Sequence, residues 1–224
     1  MTRTLRILTT LAVTGPLACI LLVGCHVTEN EHGDKKSVNI GTPFGSMKVH
    51  TSNTADTSTL GLSAYPGAVP VADTGDNDGN SANVDMSFGS FHLGVKAASF
   101  QTPDSQDKVL AFYRQDLATR YGDVIECRGH SAVGTPTRTS QGLTCSDSEG
   151  SHIKSSDIKT SDGHSKSIAI ISGDSSSDVE LRAGSAQHFH IVGVEPHDGG
   201  TRIGLVALDL PSRLSAHDNK DSEE

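Results

Sequence analysis

Tryptophan is absent from this 224-residue chain, and only 3 Tyr and 6 Phe are present. With apolar residues at 34% and aromatic ones at 4%, the sequence can build only a modest core. The aromatic platform on which sugar rings usually stack is also missing. Basic residues are scarce, 18 against 27 acids, for a formal net charge of −9. A chain this acidic, with no basic stripe, is a poor match to nucleic acid, where phosphate neutralisation supplies most of the affinity. Nor does it carry a polybasic patch for anionic lipid. Complete catalytic motifs are lacking as well. There is no phosphate loop, dinucleotide fingerprint or His-Glu zinc-protease pattern. Gly129-His130-Ser131-Ala132-Val133-Gly134 approaches a nucleophile elbow, but Val133 stands where the second Gly is required. Asp73, Asp76, Asp78 and Asp85 resemble a calcium loop in composition only. A loop begun at Asp76 puts Ser81 at the sharp-turn glycine, with no Glu in register, so the segment reads as a solvated loop.

What is present begins with a targeting segment over residues 1–24. Arg3 and Arg6 open it, and an apolar run extends from Ile7 to Val23. Removing it takes away two positive charges and no acid, changing the net charge from −9 to −11. Its end, Leu22-Val23-Gly24-Cys25, resembles the lipobox of bacterial lipoproteins. That resemblance implies cleavage before Cys25, diacylglycerol on its thiol and acylation of the new amino terminus. Two or three acyl chains make a stable anchor at about 0.8 kcal/mol per buried CH₂. In that family an Asp after the cysteine often signals inner-membrane retention. His26 stands there instead, which favours the periplasmic side of the outer membrane, if the cell has one.

The rest of the chain reads as strands, turns and one helix. Residues 25–59 are expected as a lipid-anchored tether containing a hairpin near 37–50. Val38, Ile40, Met47 and Val49 alternate with polar neighbours about the turn Thr42-Pro43-Phe44-Gly45. Tyr65-Pro66-Gly67-Ala68 is a second turn, with Gly supplying the positive φ. Strands are expected at 84–88, 91–100, 123–128 and 142–145. Hairpins are expected over 153–172, turning at Asp162-Gly163, and between 189–194 and 203–208.

The helix is expected over Thr102 to Tyr121, closed by Gly122. Val109, Tyr113, Leu117 and Tyr121 form its apolar stripe, widened by Leu110 and Phe112. Residues 60–210 thus predict an α+β domain, an antiparallel twisted sheet with this amphipathic helix packed on one face. Residues 211–224 are expected as a disordered charged tail. The lipobox, the Thr-Pro-Phe-Gly and Tyr-Pro-Gly-Ala turns, and Thr102-Pro103-Asp104-Ser105 leading to Phe112-Tyr113-Arg114 together resemble a group of uncharacterised bacterial lipoproteins. No activity attaches to that group, so the resemblance assigns a role to Cys25 alone.

Two constellations bear on chemistry. Cys19 leaves with the leader and Cys25 is the lipidation site. Cys127 and Cys145 remain, an even pair in an oxidising compartment. A bridge between them closes a loop of roughly 19 residues and contributes on the order of 3 kcal/mol in the chain-entropy model; the alternative is two buried thiols. His188 and His190 lie two apart, so on a strand they share a face, with His92 or His197 as a possible third metal ligand. The same face suits an ordinary sheet surface equally well. The expected function is a lipid-anchored cell-envelope protein, a non-catalytic binding or structural module without a cofactor, with an envelope protein as a possible partner. The alternative is a metal-dependent protein or enzyme using His188 and His190.

Overall fold

The computed structural model describes residues 25–33, 35–52, 54, 57–71, 80–146, 158–159, 165–166 and 178–211. Their dominant pattern is period-two alternation. The strands are β1 (His26–His32), β2 (Lys35–Thr42), β3 (Gly45–Ser52), β4 (Val69–Pro70), β5 (Ser81–Phe88), β6 (Phe91–Thr102), β7 (Val124–Arg128), β8 (Ser131–Ala132), β9 (Ile158–Lys159), β10 (Ser165–Lys166), β11 (Val179–Gly184), β12 (His188–His197) and β13 (Gly200–Asp209). A one-turn 3-10 helix (Thr57–Leu60) and a single α-helix, α1 (Gln106–Tyr121), complete the described elements. Eleven strands join one open antiparallel sheet in the order β1-β2-β3-β5-β6-β13-β12-β11-β7-β8, with β4 pairing the end of β6. The α+β expectation is therefore corrected: the fold is mostly β, with one helix laid on a large open sheet.

The helix begins later than the sequence suggests. Thr102 is still in β6, opposite Thr201, and Ser105 is the N-cap. Strand pairing extends β6 through Thr102, which is buried and paired with the buried Thr201 of β13. The carboxyl end agrees with the expectation. Gly122 has φ +84°, a conformation costly for any side chain, and its N–H donates to Ala118 O at 3.1 Å. Val109, Leu110, Tyr113 and Leu117 are buried against Val179, Leu181, Val192, Val194, Ile203 and Leu205 of the sheet.

The opposite face of the central strands carries a second core. Ile125, Cys127, Leu143, Cys145, Phe189, Val206 and Leu208 form it. The Cys127–Cys145 disulfide lies inside this cluster, with its Cα atoms 5.7 Å apart. Beside it Arg182, only 2% exposed, pairs with Glu180 and donates from Nη1 to Cys145 O at 2.8 Å. The bridge and the buried guanidinium tie the segment after β8 to β7 and β11.

Residues 26–33 and 35–52 differ from the expected tether. Residues 26–32 form β1, which pairs with β2 along its whole length, and β3 pairs with β5 through all eight residues. The hairpin near 37–50 is thus a piece of the main sheet. These outer strands make a wing with one apolar and one polar face. Ile40, Met47, Met86 and Leu93 are register partners across β2, β3, β5 and β6. One position along, on the other side of the pleat, run Asn39, Lys48 and Asp85. The Tyr-Pro-Gly-Ala turn forms as expected, with Gly67 at φ +76° and Ala68 N–H donating to Tyr65 O at 3.0 Å. Residues 142–145 form isolated bridges rather than a strand. The leader, Asp73, Asp76 and Asp78, most of the hairpin expected over 153–172, and residues 212–224 lie outside the described residues.

Candidate functional site

Five strands of the wing present one continuous polar row: Asn30 of β1, Ser37 of β2, His50 of β3, Asn83 of β5 and Lys96 of β6. Antiparallel pairing aligns them because each sits on the same side of the pleat. Together with Lys35 and Lys36 they line a groove of about 370 Å³, near the lower end of the range for ligand pockets, ~300–1,000 Å³. Thr59 and Leu60 of the 3-10 turn form one wall. Ser81 Oγ braces the rim by hydrogen-bonding to Ser52 O at 3.3 Å and Thr54 O at 3.2 Å.

The groove runs against the charge of the chain. Among the described residues Lys35, Lys36, Lys96, His32 and His50 line it and no Asp or Glu does, although Lys36, next to Ser37 in β2, stands on the other side of the pleat. Only Lys36 among these lysines has a carboxylate near it among the described residues, Glu31 at 3.2 Å. Potential therefore accumulates locally in a protein whose net charge is −9. Hydroxyls, side-chain amides and ammonium groups on a rigid sheet suit binding of a polar, negatively charged ligand.

The wall of the groove is latched to α1. Ser63 gives its N–H to Asp116 Oδ2 at 3.1 Å and its hydroxyl to Asp116 Oδ1 at 2.9 Å. Arg120 Nε donates to the same Oδ1 at 2.9 Å. Tyr121 Oη donates to Gly61 O at 2.7 Å, and Tyr113 Oη to Ser63 O at 3.2 Å. Burial works to raise the Asp116 pKa, but the hydrogen bonds from Arg120 and Ser63 and the Arg120 charge leave it below the usual carboxylate value. Burial pushes the Tyr113 hydroxyl up, so it stays a neutral donor.

His190 belongs to this latch. Its ring stacks on Tyr121, centroids 4.0 Å apart and planes at 19°. Burial lowers its pKa; a hydrogen bond to the Leu60 backbone and the charge of Asp209 oppose that shift, while the Lys96 charge adds to it. His190 is thus a neutral packing ring behind the groove. His188 shares the strand face but is exposed, its Nδ1 2.8 Å from Asp209 Oδ1. Ser185 is close, yet its Oγ accepts from the His188 backbone N–H at 3.1 Å, so the hydroxyl engages the backbone rather than the imidazole. His92, a possible third ligand, faces Asp85 at 3.8 Å, and His197 lies at the other end of β12. Among the described residues no three His, Cys, Asp or Glu side chains are grouped to hold a metal. Gly129 and His130 form the turn of a small hairpin, β7 to β8, where an elbow requires a helix to follow.

Cys25 is a free, exposed cysteine one residue before β1. The groove residues escaped sequence reasoning because they are single polar positions spread over five strands. Only the alternation Ser37, Asn39 and Lys48, His50 around the first turn hinted at a polar sheet face. Comparison with protein-family models, curated proteins and solved structures finds no match to this chain.

Proposed function

We propose that this chain is an exported, lipid-anchored binding module of the cell envelope, holding an anionic polar ligand in the wing groove. The observation that carries the reading is a cavity lined, among the described residues, by lysines and histidines and by no acid, in an acidic chain. The lipobox-like Leu22-Val23-Gly24-Cys25 supports the location, the outer membrane on its periplasmic side where the cell has one. The groove offers hydrogen-bond donors and fixed positive charge on paired strands, which supports a binding role. Phosphate- or carboxylate-bearing envelope polymers are the class of ligand that such a groove would recognise.

Two measurements test this reading. Calorimetric titration with tripolyphosphate and with a short oligogalacturonate should give saturable, salt-sensitive binding. Lys35→Glu together with Lys96→Glu should lose it, and unchanged binding in that variant overturns the groove assignment. Metabolic labelling with a fatty-acid probe should mark the wild type and not Cys25→Ser; equal labelling of both overturns the anchor.

A further inference from the structure

The wing has a charged end and an apolar end, and Cys25 is at the apolar one. His26 pairs with Gly41, so Cys25 stands at the level of Thr42. The ladder at that level continues through Gly45, Phe88 and Phe91. Just beyond it are two turn tips, Pro43-Phe44 and Gly89-Ser90, neither with a charged residue. Phe44 is 84% exposed, Val27 60% and Phe88 40%. Three of the five exposed large hydrophobic side chains among the described residues thus gather at the end that carries Cys25. Behind them the apolar row of Ile40, Met47, Met86 and Leu93 crosses the wing. The opposite end holds Glu31, His32, Lys35 and Lys36.

Local packing accounts for part of Phe88 but not for Phe44. Phe88 lies over Gly45, where even a Cβ would collide with its ring and with Ser87 O, whereas Phe44 projects into solvent. An exposed apolar cluster of this kind marks an interaction surface. The anchor names the surface that would be within reach, because a lipidated Cys25 would hold both tips at a bilayer. Aromatic side chains on uncharged turns suit the interfacial region of lipid, where an acidic protein would otherwise be repelled by anionic headgroups.

We propose that Val27, Phe44 and Phe88 form a second membrane contact that seats the Cys25 end of the wing in the bilayer interface and aims the groove away from it. The proposal rests on the lipoprotein reading above. It gives the anchored chain one orientation rather than a swivel about its lipid. From Thr42 to Lys35 is seven steps of strand, so the charged end of the groove stands ~24 Å from the membrane-facing tips at about 3.4 Å per residue.

The lack of native tryptophan supplies the test. The full chain carrying Phe44→Trp is produced in a bacterial host, purified from membranes and reconstituted into phosphatidylethanolamine–phosphatidylglycerol vesicles, with and without brominated acyl chains. The mass of the amino-terminal peptide reports acylation of Cys25. The expected result is acylated Cys25 with blue-shifted emission that loses most of its intensity in brominated lipid. Val69→Trp, at an exposed apolar position on β4, should keep water-like, unquenched emission. Acylated Cys25 with water-like, unquenched emission from the Phe44→Trp chain overturns the second contact and leaves the anchor standing. Blue-shifted emission that brominated lipid does not quench assigns the tips to a protein partner and also overturns it. An unacylated Cys25 overturns both readings. Phe44 is so exposed that its replacement leaves the core untouched.

Discussion

Replacing Leu117 with Ala is the most direct perturbation of the helix–sheet contact. Leu117 is fully buried, in the same core as Val179, Leu181 and Val192. Truncation removes three carbons, a transfer loss of about 2.4 kcal/mol at ~0.8 kcal/mol per methylene. The space left behind adds a cavity term, because β11 and β12 are held by their ladders and cannot collapse into it. A total of about 3–5 kcal/mol follows, against a net stability of roughly 5–15 kcal/mol for a folded domain. Two neighbours calibrate the scale. Gln115 is exposed and its truncation should cost about 0.5 kcal/mol or less. Arg114 donates to Glu126 from Nη2 at 2.6 Å and from Nε at 3.1 Å, so its loss should cost more than that of Gln115, about 1 kcal/mol. Urea denaturation of the three variants should give midpoints in the order Gln115→Ala, Arg114→Ala, Leu117→Ala, from highest to lowest, with similar slopes. If Leu117→Ala unfolds at the midpoint of Gln115→Ala, the stripe is not buried and the helix does not rest on this sheet.

Arg182→Ala should cost about 3–5 kcal/mol, because it strands Glu180 and removes the donor to Cys145 O; a midpoint shift no larger than that of Arg114→Ala would show that the guanidinium is solvated. Asp104, held low by Tyr65 and Lys108, and Asp116 both have folded pKa values below their usual 3.8. Their contribution is complete above that value and lost as pH falls through the folded pKa, so wild-type stability should drop below about pH 4 and Asp116→Asn should flatten the drop. His190 acts higher. Its folded pKa is depressed, so the unfolded chain takes the proton first and stability declines as pH falls below 6.5. His190→Phe should remove that step, and its persistence in the variant would place the responsible group elsewhere.

The parts legible in the sequence were those with a strong local signal. The stripe from Val109 to Leu117 fixed the helix, and the apolar runs flanking Asp198-Gly199 became β12 and β13, central in the sheet. The Cys127–Cys145 pairing followed from counting thiols, and the bridge is present. Strands without a one-sided pattern were missed. β1, His-Val-Thr-Glu-Asn-Glu-His, has little hidden on either face, so burial imposed no alternation on it. β11 was missed for the opposite reason: Arg182 reads as a solvent position but is buried in an ion pair. The groove was illegible because proximity across five strands is a property of register, which no single segment encodes.

The pairing of β6 with β13 has a kinetic consequence. Thr102 meets Thr201 and Gly94 meets Asp209, contacts between residues about a hundred positions apart. The wing, by contrast, zips from neighbouring hairpins. A chain emerging from its amino terminus can form the wing early, yet β6 and β12 keep open apolar edges until residues 200–209 arrive to join them. Closure waits for the last strand to appear. That delay leaves the polypeptide unlocked until late in its synthesis, which suits the export proposed above.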